Sequence, residues 1–377
     1  AAALPEVDLV AGFGVPISAG PVATLPEAVP VRVDLAGPRR WPVAGTSFDL
    51  LELPRPATGA PWAYVKVAEG CDRRCGFCAI PSFRGRQRSR AVDDVLAEVR
   101  ALAEGDGDGP GAREIVLVAQ DLASYGRDRG AGGPGRAGAG QPIVGLTRAV
   151  SELVPRTRLL YLYPSGLTGE LIDAVLATGV PYFDLSLQHV ARPLLARMRR
   201  WGDGDRFLAR IEAIRRDEPS ATFRSSFILG YPGETEMDHD ALLAFLREAQ
   251  LDWAGFFPFS PEAGTHAVGL GDQVRPDLAM ERLRECAELQ DAITARRRDA
   301  LVGERRQVLV DGRGVARTVH EAPEIDGIVR VPRTLRPGAL VDVIITGSAG
   351  VDLEALQADP DGGTGPAPVG AVGVALR

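Results

Sequence analysis

Short apolar runs and amphipathic stretches take turns about six times between residues 63 and 300. No other feature constrains the fold of this chain as much. Residues 63–67, 114–118, 159–162, 182–187, 222–229 and 253–257 are strand candidates. Residues 92–102, 169–177, 206–216, 236–249 and 276–300 carry helical periodicity. In the first of these, apolar side chains fall at 92, 95, 96, 99 and 102, on one helical face. Repeated strand–helix alternation predicts an α/β fold, a parallel sheet with helical crossovers. Six units suit a partial (β/α)6 barrel, with chemistry in the loops at the carboxyl ends of the strands. After residue 300 the helices stop. Four short strand candidates, 307–310, 314–319, 327–331 and 339–345, are separated by Gly and Pro and predict a small all-β barrel.

The loop after the first strand candidate holds three of the four cysteines, Cys71, Cys75 and Cys78. Thiolates at spacings of four and three can cap three irons of a cubane and leave the fourth iron open. Structural cysteines, or a zinc site completed by a distant His, are the plainer alternatives; a zinc site more often uses separated Cys pairs. Arg73, Arg74 and the run Arg84, Arg86, Arg88 and Arg90 would balance an anionic cluster, and read equally well as a solvated basic face. The fourth cysteine, Cys286, lies in a helical pattern and reads as a small core residue.

Composition narrows the class. The 377 residues carry 43 basic and 50 acidic side chains, a net charge of −7, which excludes a strongly basic nucleic-acid coat. No apolar run has the ~18–20 residues that a membrane helix needs. No secretory signal opens the chain, and a cytoplasmic protein without a membrane partner is expected. Residues 1–60 are rich in Pro and Ala and read as the end of one unit plus a linker; 126–141 form a Gly-rich loop; 356–377 read as a disordered tail.

Cys71-Asp72-Arg73-Arg74-Cys75-Gly76-Phe77-Cys78 resembles the signature of the radical S-adenosylmethionine (SAM) superfamily, with an aromatic before the last Cys. Gly230-Tyr231-Pro232-Gly233-Glu234-Thr235 is similar to a turn of its methylthiotransferase family, and the terminal β-module to that family's TRAM domain. Several segments resemble the RimO branch, which methylthiolates the β-carbon of an aspartate in small-subunit ribosomal protein twelve. They are Ser82-Phe83-Arg84-Gly85, Gln120-Asp121-Leu122-Ala123-Ser124-Tyr125-Gly126, Asp184-Leu185-Ser186-Leu187-Gln188-His189, Ser260-Pro261-Glu262-Ala263-Gly264-Thr265 and Ala322-Pro323-Glu324-Ile325-Asp326-Gly327.

The resemblance implies a radical SAM domain over 61–293 and a TRAM-like domain over 294–355. It implies a [4Fe-4S] cluster on Cys71, Cys75 and Cys78, with S-adenosyl-L-methionine on the open iron. Phe77, Gln120, Asp121, Gln188, Gly230, Gly233 and Glu234 become candidate cofactor-binding residues. Phe77 reads equally as a core aromatic, and His189 as a structural histidine. No catalytic side chain beyond the cluster cysteines is expected. Arg84, Arg86 and Arg224 are candidates to orient an Asp-bearing substrate loop in a cleft between the barrel and the β-module.

Family members carry three further cysteines in an N-terminal domain, ligands of a second [4Fe-4S] cluster. The resemblance therefore implies that residues 1–60 hold a remnant of that domain, that the chain is N-terminally truncated, and that the second cluster belongs to a full-length chain. Expected partners are the ribosomal protein, the small ribosomal subunit and an electron donor, with the enzyme a monomer. A tRNA adenosine methylthiotransferase, and a cluster-binding ribosome-associated protein that does not complete catalysis, are the rival readings. Between residues 296 and 345 ten arginines face seven acidic residues, a small excess that fits either RNA contact or a solvated barrel surface.

Overall fold

The computed structural model describes residues 59–105, 111–130 and 140–359. The expected N-terminal remnant, the middle of the Gly-rich loop and most of the expected tail lie outside the described residues. Strand β1 (Trp62–Lys66) leads into a short ladder of β2 (Ala68–Glu69) and β3 (Arg88–Ser89), which brackets the cysteine loop and helix α1 (Ile80–Arg84). Helix α2 (Val92–Glu104) precedes β4 (Glu114–Val118), and α3 (Pro142–Ser151) precedes β5 (Arg156–Leu159). Then come α4 (Gly169–Ala177), β6 (Tyr182–Gln188), α5 (Arg192–Arg197), α6 (Gly204–Asp217), β7 (Thr222–Leu229), α7 (Glu236–Ala249), β8 (Trp253–Pro258) and α8 (Pro276–Asp299).

The strands run parallel in chain order, β1-β4-β5 and β6-β7-β8. A parallel bridge between Leu162 and Leu185 joins the two sets. The result is an open six-stranded barrel wrapped by helices, as the alternation predicts. Its strands are apolar because helices cover one face and the lumen the other; Val65, Ile115, Leu117, Phe223 and Phe227 are fully buried. No helix among the described residues is long and apolar enough to cross a membrane.

A closed five-stranded barrel follows, from β9 (Arg305–Gly312), β10 (Val315–Arg317), β11 (Val329–Arg330), β12 (Leu340–Ala349) and β13 (Asp352–Gln357). The four strand candidates miss β13, and Leu356 and Gln357 belong to this strand rather than to a tail. Helix α8 runs through the expected boundary at 293/294 and delivers the chain directly to the small barrel.

The β10–β11 connection plugs the amino end of the large barrel. Ala322 packs with Val116, Leu160, Val180, Tyr182 and Trp253. Tyr64 donates to the Pro323 carbonyl at 2.7 Å, and Trp253 Nε1 to the His320 carbonyl at 2.9 Å. Gly327 is required by packing: a Cβ there would lie 2.1 Å from the Val351 carbonyl oxygen. Beneath the plug lies buried charge. Glu114 accepts from Arg158 at 2.7 Å and from Arg317 at 2.9 Å, with all three side chains 2% exposed or less. Arg317 also reaches Asp311, and Arg156 caps the carbonyls of Arg317 and Gln307. The two guanidiniums hold the Glu114 carboxyl down at about 2 against the cost of burial. The expected cleft for a substrate loop is thus filled, at this end, by the protein's own segment.

Candidate functional site

The cysteine loop is held from three sides. Gly70 enters it at φ +81, and a Cβ there would lie 2.3 Å from the Arg86 carbonyl oxygen, so only glycine fits. Cys71 N donates to Gly85 O at 3.1 Å. Within the motif, Gly76 N donates to Met198 O and Gly76 O accepts from Ala267 N, each at 2.8 Å. These bonds fix the loop against the segments after α5 and β8.

Cys71, Cys75 and Cys78 line one cavity of about 130 Å³ at the carboxyl ends of the strands. Burial pushes the Cys71 and Cys78 thiols up from their ordinary value. Three thiols ringing an open volume suit a multi-iron core better than a mononuclear ion.

Phe77, Gln120 and Gln188 line the same cavity, together with Ile80, Pro81, Arg73, Tyr161, Tyr163, Ser186 and Arg200. Gln120 Nε2 donates to Glu69 at 3.3 Å, and its Oε1 is buried with no partner among the described residues. Asp121 stands behind the wall. Its Oδ2 accepts from Arg73 Nε and from Ser124 Oγ, both at 2.7 Å, and its buried Oδ1 has no partner. Tyr161 and Gln188 both have left-handed backbone, φ 62 and φ 72, a strain that clusters at binding sites. Phe77 meets Tyr231 edge-on at 6.5 Å, and Tyr231 meets Phe259 at 5.2 Å, an aromatic wall on one side.

Two cations flank Tyr163, Arg73 at 3.9 Å and Arg200 at 4.4 Å from the ring centre. Arg200 also donates to Cys75 Sγ at 3.1 Å and to the Ser186 carbonyl. Sequence reasoning missed Arg200; only its place in the Met198-Arg199-Arg200-Trp201 turn after α5, opposite the cysteine loop, gives it meaning.

The remaining candidates lie elsewhere. Gly230 and Gly233 pack tightly: a Cβ on either would meet Ala279 or the Arg197 guanidinium at 2.5 Å. Glu234 folds back onto Gly230 N, beside Arg282 and the fully buried His189. Burial lowers the His189 ring to about 4 and raises the Glu234 carboxyl. Arg84 reaches Glu69 at 3.5 Å, and the exposed Arg86 pairs with Asp72 at 3.3 Å. Arg224 sits in the lumen between Asp184 at 3.0 Å and Asp326 at 3.6 Å. Of the ten arginines between 296 and 345, Arg297, Arg298, Arg305, Arg306, Arg317 and Arg330 are tied to carboxylates. The basic excess there is mostly spent inside the protein.

The Radical SAM superfamily pattern matches residues 65–246, and the TRAM domain pattern matches residues 302–357. A ribosomal protein uS12 methylthiotransferase RimO from Moorella thermoacetica is 43% identical over 87% of this chain and 74% of its own. Proteins of the same name from Streptomyces griseus and Frankia casuarinae are 42% and 40% identical. They match over 83% and 91% of this chain, which spans 64% and 67% of their length. Among solved structures, the radical SAM enzyme coproporphyrinogen III oxidase (HemN) from Escherichia coli aligns at a TM-score of 0.46 and 14% identity, over 62% of this chain and 53% of its own.

Proposed function

We propose a function from one premise: the chain belongs to the ribosomal protein uS12 methylthiotransferase family RimO, and it carries a radical SAM domain and a TRAM domain. On this reading it is a radical SAM methylthiotransferase that adds a methylthio group to the β-carbon of an aspartate of the small-subunit ribosomal protein. The observation that carries the reading is the convergence of Cys71, Cys75 and Cys78 on one cavity at the strand ends, in a chain 43% identical to a protein of that name.

The three thiols would hold one [4Fe-4S] cluster; Cys286, the remaining cysteine, is fully buried in α8. When bound, the cluster and S-adenosylmethionine supply the radical-initiating chemistry. The chain's own residues bind, orient and exclude water. Gln120 Oε1 is a buried acceptor with no partner among the described residues, and would accept from an ammonium or hydroxyl donor. Tyr161 and Gln188 line the same cavity with strained backbone. Phe77 lines the cavity with its ring backed edge-on by Tyr231, an apolar surface on that side. Arg84 and Arg86, beyond the cysteine loop, would be the arginines to meet a carboxylate entering from solvent.

The test is anaerobic reconstitution with iron and sulfide, then incubation with S-adenosylmethionine, a reductant and either the ribosomal protein or tRNA. One cubane per chain is expected, lost in Cys75→Ala, with 5′-deoxyadenosine released from S-adenosylmethionine; methylthio-aspartate in the protein is expected once a second cluster supplies the sulfur. A 2-methylthio-adenosine product with an unmodified ribosomal protein would move the chain to the tRNA branch. Two cubanes per chain would contradict the ligand assignment.

A further inference from the structure

Among the cavity-lining cations, Arg73 is neutralised by Asp121, whereas Arg200 has no carboxylate partner among the described residues. Its guanidinium donates to Cys75 Sγ at 3.1 Å, is tied to the Ser186 carbonyl, lies over Tyr163, and keeps a buried Nε without a partner. A half-buried cation left without a counter-charge is costly unless an anion completes it. A cluster held by three thiolates is such an anion, and reduction makes it more negative.

We propose that Arg200 is a positioning residue for the cluster. Through its N–H···S bond to the middle cysteine it fixes that ligand and stabilises the reduced, more negative state. The inference rests on the cluster assignment above. An N–H donor on a ligand sulfur, with a positive charge behind it, draws electron density away from the iron. Tyr163, held between Arg73 and Arg200, keeps the fork in place.

Redox titration of the anaerobically reconstituted full chain, followed by electron paramagnetic resonance, tests this in wild type, Arg200→Gln and Arg200→Lys. Arg200→Gln is expected to hold the same iron and to titrate at a more negative potential, with Arg200→Lys in between because it keeps charge but loses the planar fork. If the Gln variant retains less iron, the Lys variant reads the same shift. A full cubane at unchanged potential overturns the inference, whether S-adenosylmethionine affinity falls, which would make Arg200 a ligand of the cofactor, or stays the same, which would make it a structural tie. A wild-type chain that takes up no cubane overturns the functional reading first.

Discussion

Gly76 sits in the middle of the cysteine motif with both backbone groups bonded to distant segments, and its missing side chain is what lets Tyr231 close over it. A Cβ at Gly76 would lie 2.7 Å from the Tyr231 hydroxyl and 3.3 Å from the Arg197 carbonyl oxygen. A tyrosine ring is too rigid to absorb this, so Gly76→Ala is expected to push the loop out and lower iron retention severalfold. Tyr231→Phe removes the nearer clash and should restore part of the iron in the double variant, a coupling that iron quantification reads directly. Local spacing makes the three cysteines legible in the sequence, with Phe77 among them and Gln120 and Gln188 at strand ends. Tyr161 just past β5, Ser186 within β6 and Arg200 in the turn after α5 reach the same cavity, and contacts of that kind exist only once the sheet has closed. Glu234 is a candidate in the sequence because its turn is similar to one of the methylthiotransferase family. In the structure the glycines of that turn serve close packing against α8 and Arg197.

At the scale of elements, charged or short strands are what the sequence hides. Strand β5, Arg156–Leu159, is offset from the expected 159–162 because two arginines in a buried strand read as a loop until Glu114 and the Arg317 carbonyl are seen to satisfy them. Helix α3 follows a Gly-rich stretch and contains Gly145, so its periodicity does not stand out. Strand β13 has only Leu353 and Ala355 facing inward, too few to signal a strand, yet it pairs with both β11 and β12 and closes the small barrel. This assignment predicts opposite outcomes for two nearby leucines. Leu353 is fully buried, and Leu353→Asp should destabilise by more than the ~2–5 kcal/mol typical of a Leu→Ala core truncation, because it also buries a charge. Leu356 is 55% exposed, and Leu356→Asp should shift stability by no more than ~0.5 kcal/mol. Chemical denaturation of both variants checks the pair. Equal effects would mean that 352–357 is not a strand with alternating faces.

For the molecule as a whole, the chemistry lies at the carboxyl ends of the six strands, and the small barrel is bolted to their amino ends. The bolt is Glu114, the first residue of β4, shared by Arg158 of the large barrel and Arg317 of the small one. Glu114→Gln would leave two buried guanidiniums facing a neutral amide. Removing one partner of a buried ion pair costs about 3–5 kcal/mol, so the variant should lose that much stability at neutral pH. The sign of the pH dependence follows from the carboxyl's depressed value. It is held at about 2 in the fold against an ordinary value of 4.5. Its contribution is therefore complete above 4.5 and disappears as the pH falls toward about 2. Denaturation curves of wild type and Glu114→Gln, collected from pH 7 downward, should lie far apart above pH 4.5 and converge below it. A constant gap across that window would mean that the carboxylate charge is not what joins the two barrels. Cluster binding supplies a second readout. The cysteine cavity is at the far end of the strands, so under native conditions Glu114→Gln should bind iron as wild type does, and lose it only where the denaturation curve shows the fold itself giving way.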